Sequence, residues 1–144
     1  MRIASRLSAA IMAGLLLIAT LGGPARATPA TMSRLLMGPC LVNYSVTTWP
    51  GGFSADVAIT NHIIPPPNGT LTFILPSSQQ ITQTWDATAT QSGQQATLVL
   101  PPWHPNIGMG ETYKLGFNAT EGGVYTNAFA FRLAGQLCDV IYQP

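Results

Sequence analysis

Three tryptophans are the residues of this 144-residue chain whose types and positions point most directly to a chemistry. Trp49 opens the sequence Trp-Pro-Gly-Gly, Trp103 lies in Pro-Pro-Trp-His-Pro, and Trp85 ends the polar run Gln-Gln-Ile-Thr-Gln-Thr. These surroundings are typical of turns and polar strands and not of a buried core. A large flat ring left in water at such a place is costly unless something docks on it. A row of exposed indoles suits stacking against the apolar C–H faces of sugar rings.

The ionisable residues, by contrast, form no catalytic constellation. Glycoside hydrolysis needs two carboxylates that face each other across the scissile bond, one of them with a raised pKa. The five acids show no such pairing and are expected on the surface: Asp56, Asp86, Glu111, Glu121 and Asp139. The sequence has no Gly-x-Ser-x-Gly motif, and its two histidines, His62 and His104, lack a third ligand at the spacing of a metal site. We therefore expect no catalytic residue, no metal and no cofactor.

The first 27 residues have the pattern of a signal peptide. Arg2 and Arg6 form a short basic region, and an uncharged apolar run follows at 9–21. Ala-Arg-Ala at 25–27 then offers the small residues that signal peptidases recognise. A membrane anchor is the alternative, but the apolar run is shorter than the ~20 residues that span a bilayer. We therefore expect a secreted, extracellular protein with no membrane segment after cleavage.

The 117 residues that follow position 27 suit one domain, with no room for a second of usual size. We expect a short leader at 28–39 and a single domain at 40–144. Three of the six basic residues lie within 1–27, which leaves three basic against five acidic residues and a formal charge of −2. A charge of this sign and size does not attract nucleic acid or an anionic membrane.

The two cysteines, Cys40 and Cys138, stand near opposite ends of the expected domain. A zinc site would need more ligands nearby, and neither cysteine belongs to a Cys-x-x-Cys pair. In an exported chain two such cysteines are expected to form a disulfide that ties the first strand to the last.

From position 40 onward, apolar residues recur with a period of two, as in half-buried strands. The clearest run alternates Phe53, Ala55, Val57 and Ile59 with polar or small residues, and similar runs surround Tyr44, Phe73, Leu98, Leu115, Phe131 and Val140. Clusters of proline, glycine and asparagine separate the runs, and no amphipathic helix of useful length is found. The pattern predicts an all-β fold, an antiparallel β-sandwich of immunoglobulin-like or jelly-roll type with about eight or nine strands.

Strand parity assigns polar side chains to a solvent-facing surface. In one predicted strand the apolar residues take the odd positions, so the even ones point outward: Lys114, Gly116 and Asn118. Gln83 shares parity with Trp85, so both are expected on one face of their strand. Indoles beside amides and an ammonium group make a composition suited to polysaccharide, with stacking for affinity and hydrogen bonds for register.

Several segments, in this order and spacing, resemble the family 2 carbohydrate-binding modules, the cellulose-binding domains found on secreted cellulases, xylanases and chitinases. The resemblance covers 40–138 and rests on Cys-Leu-Val-Asn-Tyr at 40–44, Trp-Pro-Gly-Gly-Phe at 49–53, Leu-Thr-Phe at 71–73, Ser-Gln-Gln-Ile-Thr-Gln-Thr-Trp at 78–85, Gln-Ser-Gly at 91–93, Pro-Trp at 102–103, Leu-Gly-Phe-Asn at 115–118, Ala-Phe at 128–129, and Cys138.

The resemblance implies a β-sandwich closed by a disulfide between the two ends, with a flat strip of three surface tryptophans that correspond to Trp49, Trp85 and Trp103. Polar positions of the family's binding face correspond to Gln83, Asn118, Asp56 and Lys114. Gln83 and Asn118 keep the family's usual residue, whereas Asp56 and Lys114 replace amides that are common there.

The resemblance also gives Gly52 a role. Glycine at this position lets the first tryptophan lie flat against cellulose or chitin, whereas arginine turns the ring toward the twisted chain of xylan. The expected ligand is therefore an insoluble β-1,4-linked polysaccharide, cellulose or chitin, bound without cleavage by a monomeric module. Two alternatives stay open: a secreted glycoside hydrolase or chitinase, because modules of this family usually accompany such enzymes, and an exported protein that recognises host or cell-surface glycans.

Overall fold

The computed structural model describes residues 22–23, 37–76 and 78–144. The predicted signal peptide and most of the predicted leader lie outside the described residues, apart from 22–23 and 37–39. Among the described residues, no helix is long and apolar enough to cross a membrane.

In the described part of the chain, ten strands form two five-stranded sheets, which confirms the predicted all-β sandwich. The strands are β1 Cys40–Trp49, β2 Gly52–Asn61, β3 Thr70–Ile74, β4 Gln79–Trp85, β5 Thr88–Ser92, β6 Gln95–Val99, β7 Thr112–Glu121, β8 Phe129–Leu133, β9 Gln136–Leu137 and β10 Asp139–Gln143. Sheet 1 has the order β10-β1-β2-β7-β4, and sheet 2 has the order β5-β6-β3-β8-β9. The number of strands exceeds the expected eight or nine for two reasons. Strand β9 has only two residues, and β5 has no large apolar side chains from which a strand could be predicted.

The two sheets bury the alternating apolar residues between them, as the period of two requires. Phe53, Phe73, Phe117 and Phe131 are fully buried. The Phe73 ring stacks on Phe117 across the sandwich and on Phe131 of the neighbouring strand β8 in its own sheet. Each long strand of sheet 1 therefore has one face in this core and one face in solvent.

A disulfide closes the sandwich between Cys40, at the start of β1, and Cys138, directly before β10. This confirms the predicted tie between the two ends of the domain. The bond joins residues 98 positions apart and lies beside a strand pair that differs from the rest, because β1 and β10 run parallel. All the other strand pairs within the two sheets are antiparallel.

Two local features aim the outward side chains of sheet 1. The hairpin from β1 to β2 turns through Pro50 and Gly51, and Gly51 has a φ of 85°, as the third position of a type II turn requires. In β4 the pairing with β7 shifts between Ile81 and Gln83, so a bulge turns Ile81 toward the core and Gln83 toward solvent. Without the bulge, residues two apart would share one face.

Candidate functional site

The outer face of sheet 1 carries the side chains that β1, β2, β7 and β4 direct to solvent. The pairing register arranges them in four rows, each written from β1 toward β4: Trp49–Gly52–Thr120–Gln80, Thr47–Ser54–Asn118–Gln83, Ser45–Asp56–Gly116–Trp85 and Asn43–Ala58–Lys114. Successive rows are two residues apart along β1, β2 and β7, roughly 6.7 Å. In β4 the bulge makes the separation three residues between the first row and the second. We call these the first to fourth rows.

Trp49 lies in the first row, at the end of β1, with 46% of its surface exposed. Its ring leans over Gly52, where a Cβ atom would stand 2.8 Å from the indole Nε1 and 2.8 Å from the carbonyl oxygen of Ala119. Such separations are shorter than real Cβ contacts allow. The indole can therefore lie this close to β2 because residue 52 is glycine.

Trp85 lies in the third row and is half-buried, because its ring covers Gly116 of the neighbouring strand β7. A Cβ atom at Gly116 would overlap the six-membered ring of Trp85. Glycine inside a strand often marks such a close approach. Trp49 thus starts from β1 and leans over β2, and Trp85 starts from β4 and leans over β7. The two indoles lie about 13 Å apart along the strand direction.

Trp103 lies outside the sheet, in the loop that joins β6 to β7, and 83% of its surface is exposed. This loop enters β7 at Thr112, the end of the strand opposite to Thr120, which stands in the row of Trp49. Several contacts hold the loop: the His104 ring stacks on Tyr113 with 4.9 Å between centroids, and His104 Nε2 lies 2.7 Å from Glu111 Oε1.

Tyr113 connects the segments that carry two of the tryptophans. Its hydroxyl donates a hydrogen bond of 2.8 Å to the carbonyl oxygen of Asp86, the residue after Trp85. Asp86 turns the chain out of β4 with a φ of 58°. Because the same Tyr113 ring stacks on His104, next to Trp103, one side chain contacts both segments. Sequence reasoning did not identify this role, since it depends on contacts between loops.

The predicted polar residues stand among the rows. Asn118 Nδ2 donates a hydrogen bond of 3.3 Å to Gln83 Oε1, its cross-strand neighbour in the second row. Asp56 is exposed in the third row, and Lys114 is exposed in the fourth. Every residue assigned from the sequence to the binding face is therefore on the outer face of sheet 1, except Trp103 in the adjoining loop. The sequence placed Gly116 on this face but did not identify it as the residue beneath Trp85, and it gave no role in the face to Asp86 or Tyr113.

A shallow groove of about 360 Å³ runs beside Trp85 on the same face. It follows the third and fourth rows toward β1, and its lining includes Asn43, Asp56, Ala58 and Lys114. The groove lies directly beside the indole of Trp85.

Among the described residues, the hydrogen bonding of Glu121 does not suit a general acid. Glu121 accepts hydrogen bonds from Ser78 Oγ at 2.6 Å, Gln79 Nε2 at 2.7 Å and the Gly123 amide at 3.0 Å. These bonds, the one from Ser78 foremost, lower the pKa of the Glu121 carboxyl, which is the opposite of what a general acid needs. Within the described part of the chain, no three metal-ligating side chains come together.

Comparison with known proteins gives a family. A model described as "Cellulose binding domain" matches residues 40–138. Endoglucanase B of Cellulomonas fimi is 38% identical over 99 residues, which are 69% of this chain and 10% of that enzyme. The match therefore spans only about a tenth of that relative.

Solved structures agree with the fold. The chitin-binding domain of Chi18aC from Streptomyces coelicolor superposes with a TM-score of 0.56 and 26% identity, over 69% of this chain and 94% of that domain. The cellulose-binding family 2 carbohydrate-binding domain from ScLPMO10C gives a TM-score of 0.51 and 25% identity, over 67% of this chain and 97% of that domain.

Proposed function

The chain belongs to the cellulose-binding domain family over residues 40–138, and from this premise we propose that it binds insoluble β-1,4-linked polysaccharide, cellulose or chitin, without cleaving it. Membership in this family supports a carbohydrate-binding role. The finer proposal is that sugar rings stack on Trp49, Trp85 and Trp103. Gln83, Asn118, Asp56 and Lys114 would hydrogen-bond the hydroxyls beside them.

The observation that carries the proposal is the glycine beneath each of two indoles. Gly52 under Trp49 and Gly116 under Trp85 let the rings rest on the sheet, so they are held in place before any ligand arrives. A preformed aromatic surface loses little conformational entropy on binding. The flat strip that the family resemblance implies would favour an extended, crystalline ligand over the twisted chain of xylan.

The polar residues supply the rest of the proposed recognition. The hydrogen bond between Asn118 and Gln83 holds both amides at the second row, between the rows of Trp49 and Trp85. Each amide keeps further donors and acceptors for sugar hydroxyls. Because the face carries few charges, we expect binding to depend weakly on salt.

The proposed setting is extracellular, on the evidence of the signal-peptide pattern at 1–27. A formal charge of −2 after that segment speaks against nucleic acid as the ligand. We propose that the module acts as a monomer and needs no metal or cofactor.

Depletion of the protein from solution by microcrystalline cellulose and by chitin tests the proposal. Wild type should leave the supernatant with at least one polymer, and Trp85→Ala should weaken binding about thirtyfold, since loss of a central tryptophan costs about 2 kcal/mol. The matched control is Phe129→Ala, which removes another half-exposed aromatic ring, in β8 of sheet 2, and should bind as wild type. Wild type that stays in the supernatant with both polymers contradicts the proposal.

Hydrolysis is the competing function, because the full-length relatives include endoglucanases. The same incubations give the answer when the supernatants are assayed for reducing ends. We expect no release of sugar above the polymer blank. Turnover that disappears on replacement of a single carboxylate would establish an enzyme instead.

A further inference from the structure

The groove beside Trp85 has a definite cause in the sequence. Strands β1 and β2 cross beneath it, and their outward residues at the third and fourth rows are short: Ser45 and Asn43 on β1, Asp56 and Ala58 on β2. Ala58 presents only a methyl group. The Trp85 ring rises on one side, over Gly116, and Lys114 stands on the neighbouring strand. The result is a depression of about 360 Å³ directly beside a candidate stacking ring.

The position of the groove beside Trp85 determines which substituents of a stacked pyranose ring pass over it. In a β-1,4-linked chain the substituents of each ring are equatorial, so a sugar lying flat on Trp85 extends them parallel to the sheet. A substituent on the edge nearer β1 therefore passes over the groove. A C2 acetamido group extends several bonds further from the ring than the C2 hydroxyl of cellulose, so it is the substituent that we expect to enter the groove.

The lining matches an acetamido group in each of its parts. The Lys114 ammonium and the Asn43 amide are donors for its carbonyl oxygen, and the carboxylates of Asp56 and Asp86 are acceptors for its N–H. The Ala58 methyl and the edge of Trp85 provide an apolar wall for the acetyl methyl. The volume falls at the low end of the range for pockets that hold small molecules, about 300–1,000 Å³.

We propose that this groove is a subsite for the acetamido group of an N-acetylglucosamine unit stacked on Trp85, so that the module prefers chitin to cellulose. The inference rests on the proposed function, since it requires a sugar ring on Trp85. It selects chitin from the two proposed polymers and assigns Asn43, Ala58 and Asp86 to recognition.

Filling the groove tests the inference. Ala58→Leu places a larger side chain at an outward strand position, where leucine does not disturb the core. Depletion isotherms on chitin should show at least about a tenfold rise in Kd for this variant, while the Kd for cellulose stays within about twofold of wild type. Thr90→Leu, at an exposed position of β5 in sheet 2, is the control and should change neither isotherm.

A second measurement does not depend on a variant. In the complex of wild type with the hexamer of N-acetylglucosamine, nuclear Overhauser contacts should join an acetyl methyl to the Ala58 methyl. Their absence in a saturated complex overturns the subsite, as does an Ala58→Leu variant whose affinities for chitin and cellulose change equally or not at all. Both results leave the proposed function standing. Wild type that binds neither polymer refutes the proposed function itself.

Discussion

Two glycines decide how far the indoles of this face lie above the backbone. Gly52 and Gly116 occur at outward positions of adjacent strands, where any other residue would place a Cβ atom inside the volume of a tryptophan ring. The ring of Trp85 is half-buried for this reason, although its strand neighbours are polar. Small residues beneath large ones thus set the shape of the surface.

Gly116→Ala is expected to weaken polysaccharide binding by about tenfold, because the new methyl group displaces the Trp85 ring from its position over residue 116. The same methyl would stand too close to the carbonyl oxygen of Ala55, so we also expect a lower melting temperature. Depletion assays at a temperature where the variant is folded measure the first effect. Gly123→Ala is the matched control, since a Cβ there meets nothing within 4 Å, and it should bind normally. A Gly116→Ala variant with wild-type affinity would show that the position of the ring is unimportant.

Glu121 makes a different kind of contribution, to stability and its pH dependence. Hydrogen bonds, first from Ser78, lower the pKa of this carboxyl below its usual value of 4.5. A lowered pKa means that the ionised group stabilises the fold above about pH 4.5, and that this stabilisation is lost as the pH falls through the folded-state value.

Glu121→Gln should therefore lower the melting temperature at pH 7, and the gap to wild type should narrow when both are measured at pH 3. Thermal unfolding followed by circular dichroism at the two pH values gives the comparison. A gap of equal size at both pH values would mean that the charge of Glu121 contributes nothing.

At the scale of elements, Tyr113 in β7 joins the turn after Trp85 to the loop of Trp103. Its hydroxyl donates a hydrogen bond to the Asp86 carbonyl and its ring stacks on His104, so one side chain contacts the segments of both tryptophans. A contact of this kind positions residues that bind, without itself touching the ligand.

Tyr113→Phe should weaken binding by about threefold to tenfold, because the turn after Trp85 loses its anchor while the ring stack remains. Tyr142→Phe is a close control: its hydroxyl also donates to a backbone carbonyl at 2.8 Å, that of Ala128, but it lies in β10. Both variants should lose about 1 kcal/mol of stability, the usual net value of one hydrogen bond. Equal affinity of the two variants would argue against the positioning role.

The strands themselves were largely predictable, since apolar alternation such as that from Phe53 to Ile59 is a local pattern. The disulfide was predictable too, from the compartment and the positions of the cysteines. The bulge in β4, the parallel pairing of β10 and the register that sets Gly116 under Trp85 were not. Each of these depends on which strands meet, and pairing between distant strands is fixed by packing of the whole core. The residues of the binding face were assigned mainly by resemblance, and their role remains a prediction.

At the scale of the molecule, one covalent bond spans nearly the whole domain. Cys40 and Cys138 are both buried, and the bond between them closes a loop of 98 positions. It lies at the start of β1, whereas Trp49 lies at the end of that strand. Removal of the disulfide should therefore lower the stability of the fold without changing the affinity for polysaccharide.

The double variant Cys40→Ala and Cys138→Ala is expected to lose about 2–5 kcal/mol of unfolding free energy, because its unfolded chain is no longer constrained. Urea titration of both proteins measures the loss. Where the variant is still folded, its affinity for polysaccharide should match wild type. Lost affinity in a folded variant would place the disulfide among the determinants of the binding face.

The two sheets present unlike surfaces to solvent, and the account assigns ligand binding to only one of them. The outer face of sheet 1 carries Trp49, Trp85 and the amides between them. The outer face of sheet 2 instead has a row of Thr72, Thr97 and Thr90 across three strands. A ligand should perturb the first face and leave the second unchanged.

The most direct measurement is a heteronuclear NMR titration of the labelled protein with soluble hexamers of glucose and of N-acetylglucosamine. The chain has three tryptophans and so three indole N–H signals, which report on the proposed strip one ring at a time. We predict that all three shift with at least one hexamer, together with the side-chain amides of Gln83 and Asn118, while the signals of Thr72, Thr90 and Thr97 stay in place. Indole signals that remain unmoved at saturation, or shifts confined to sheet 2, would contradict the account.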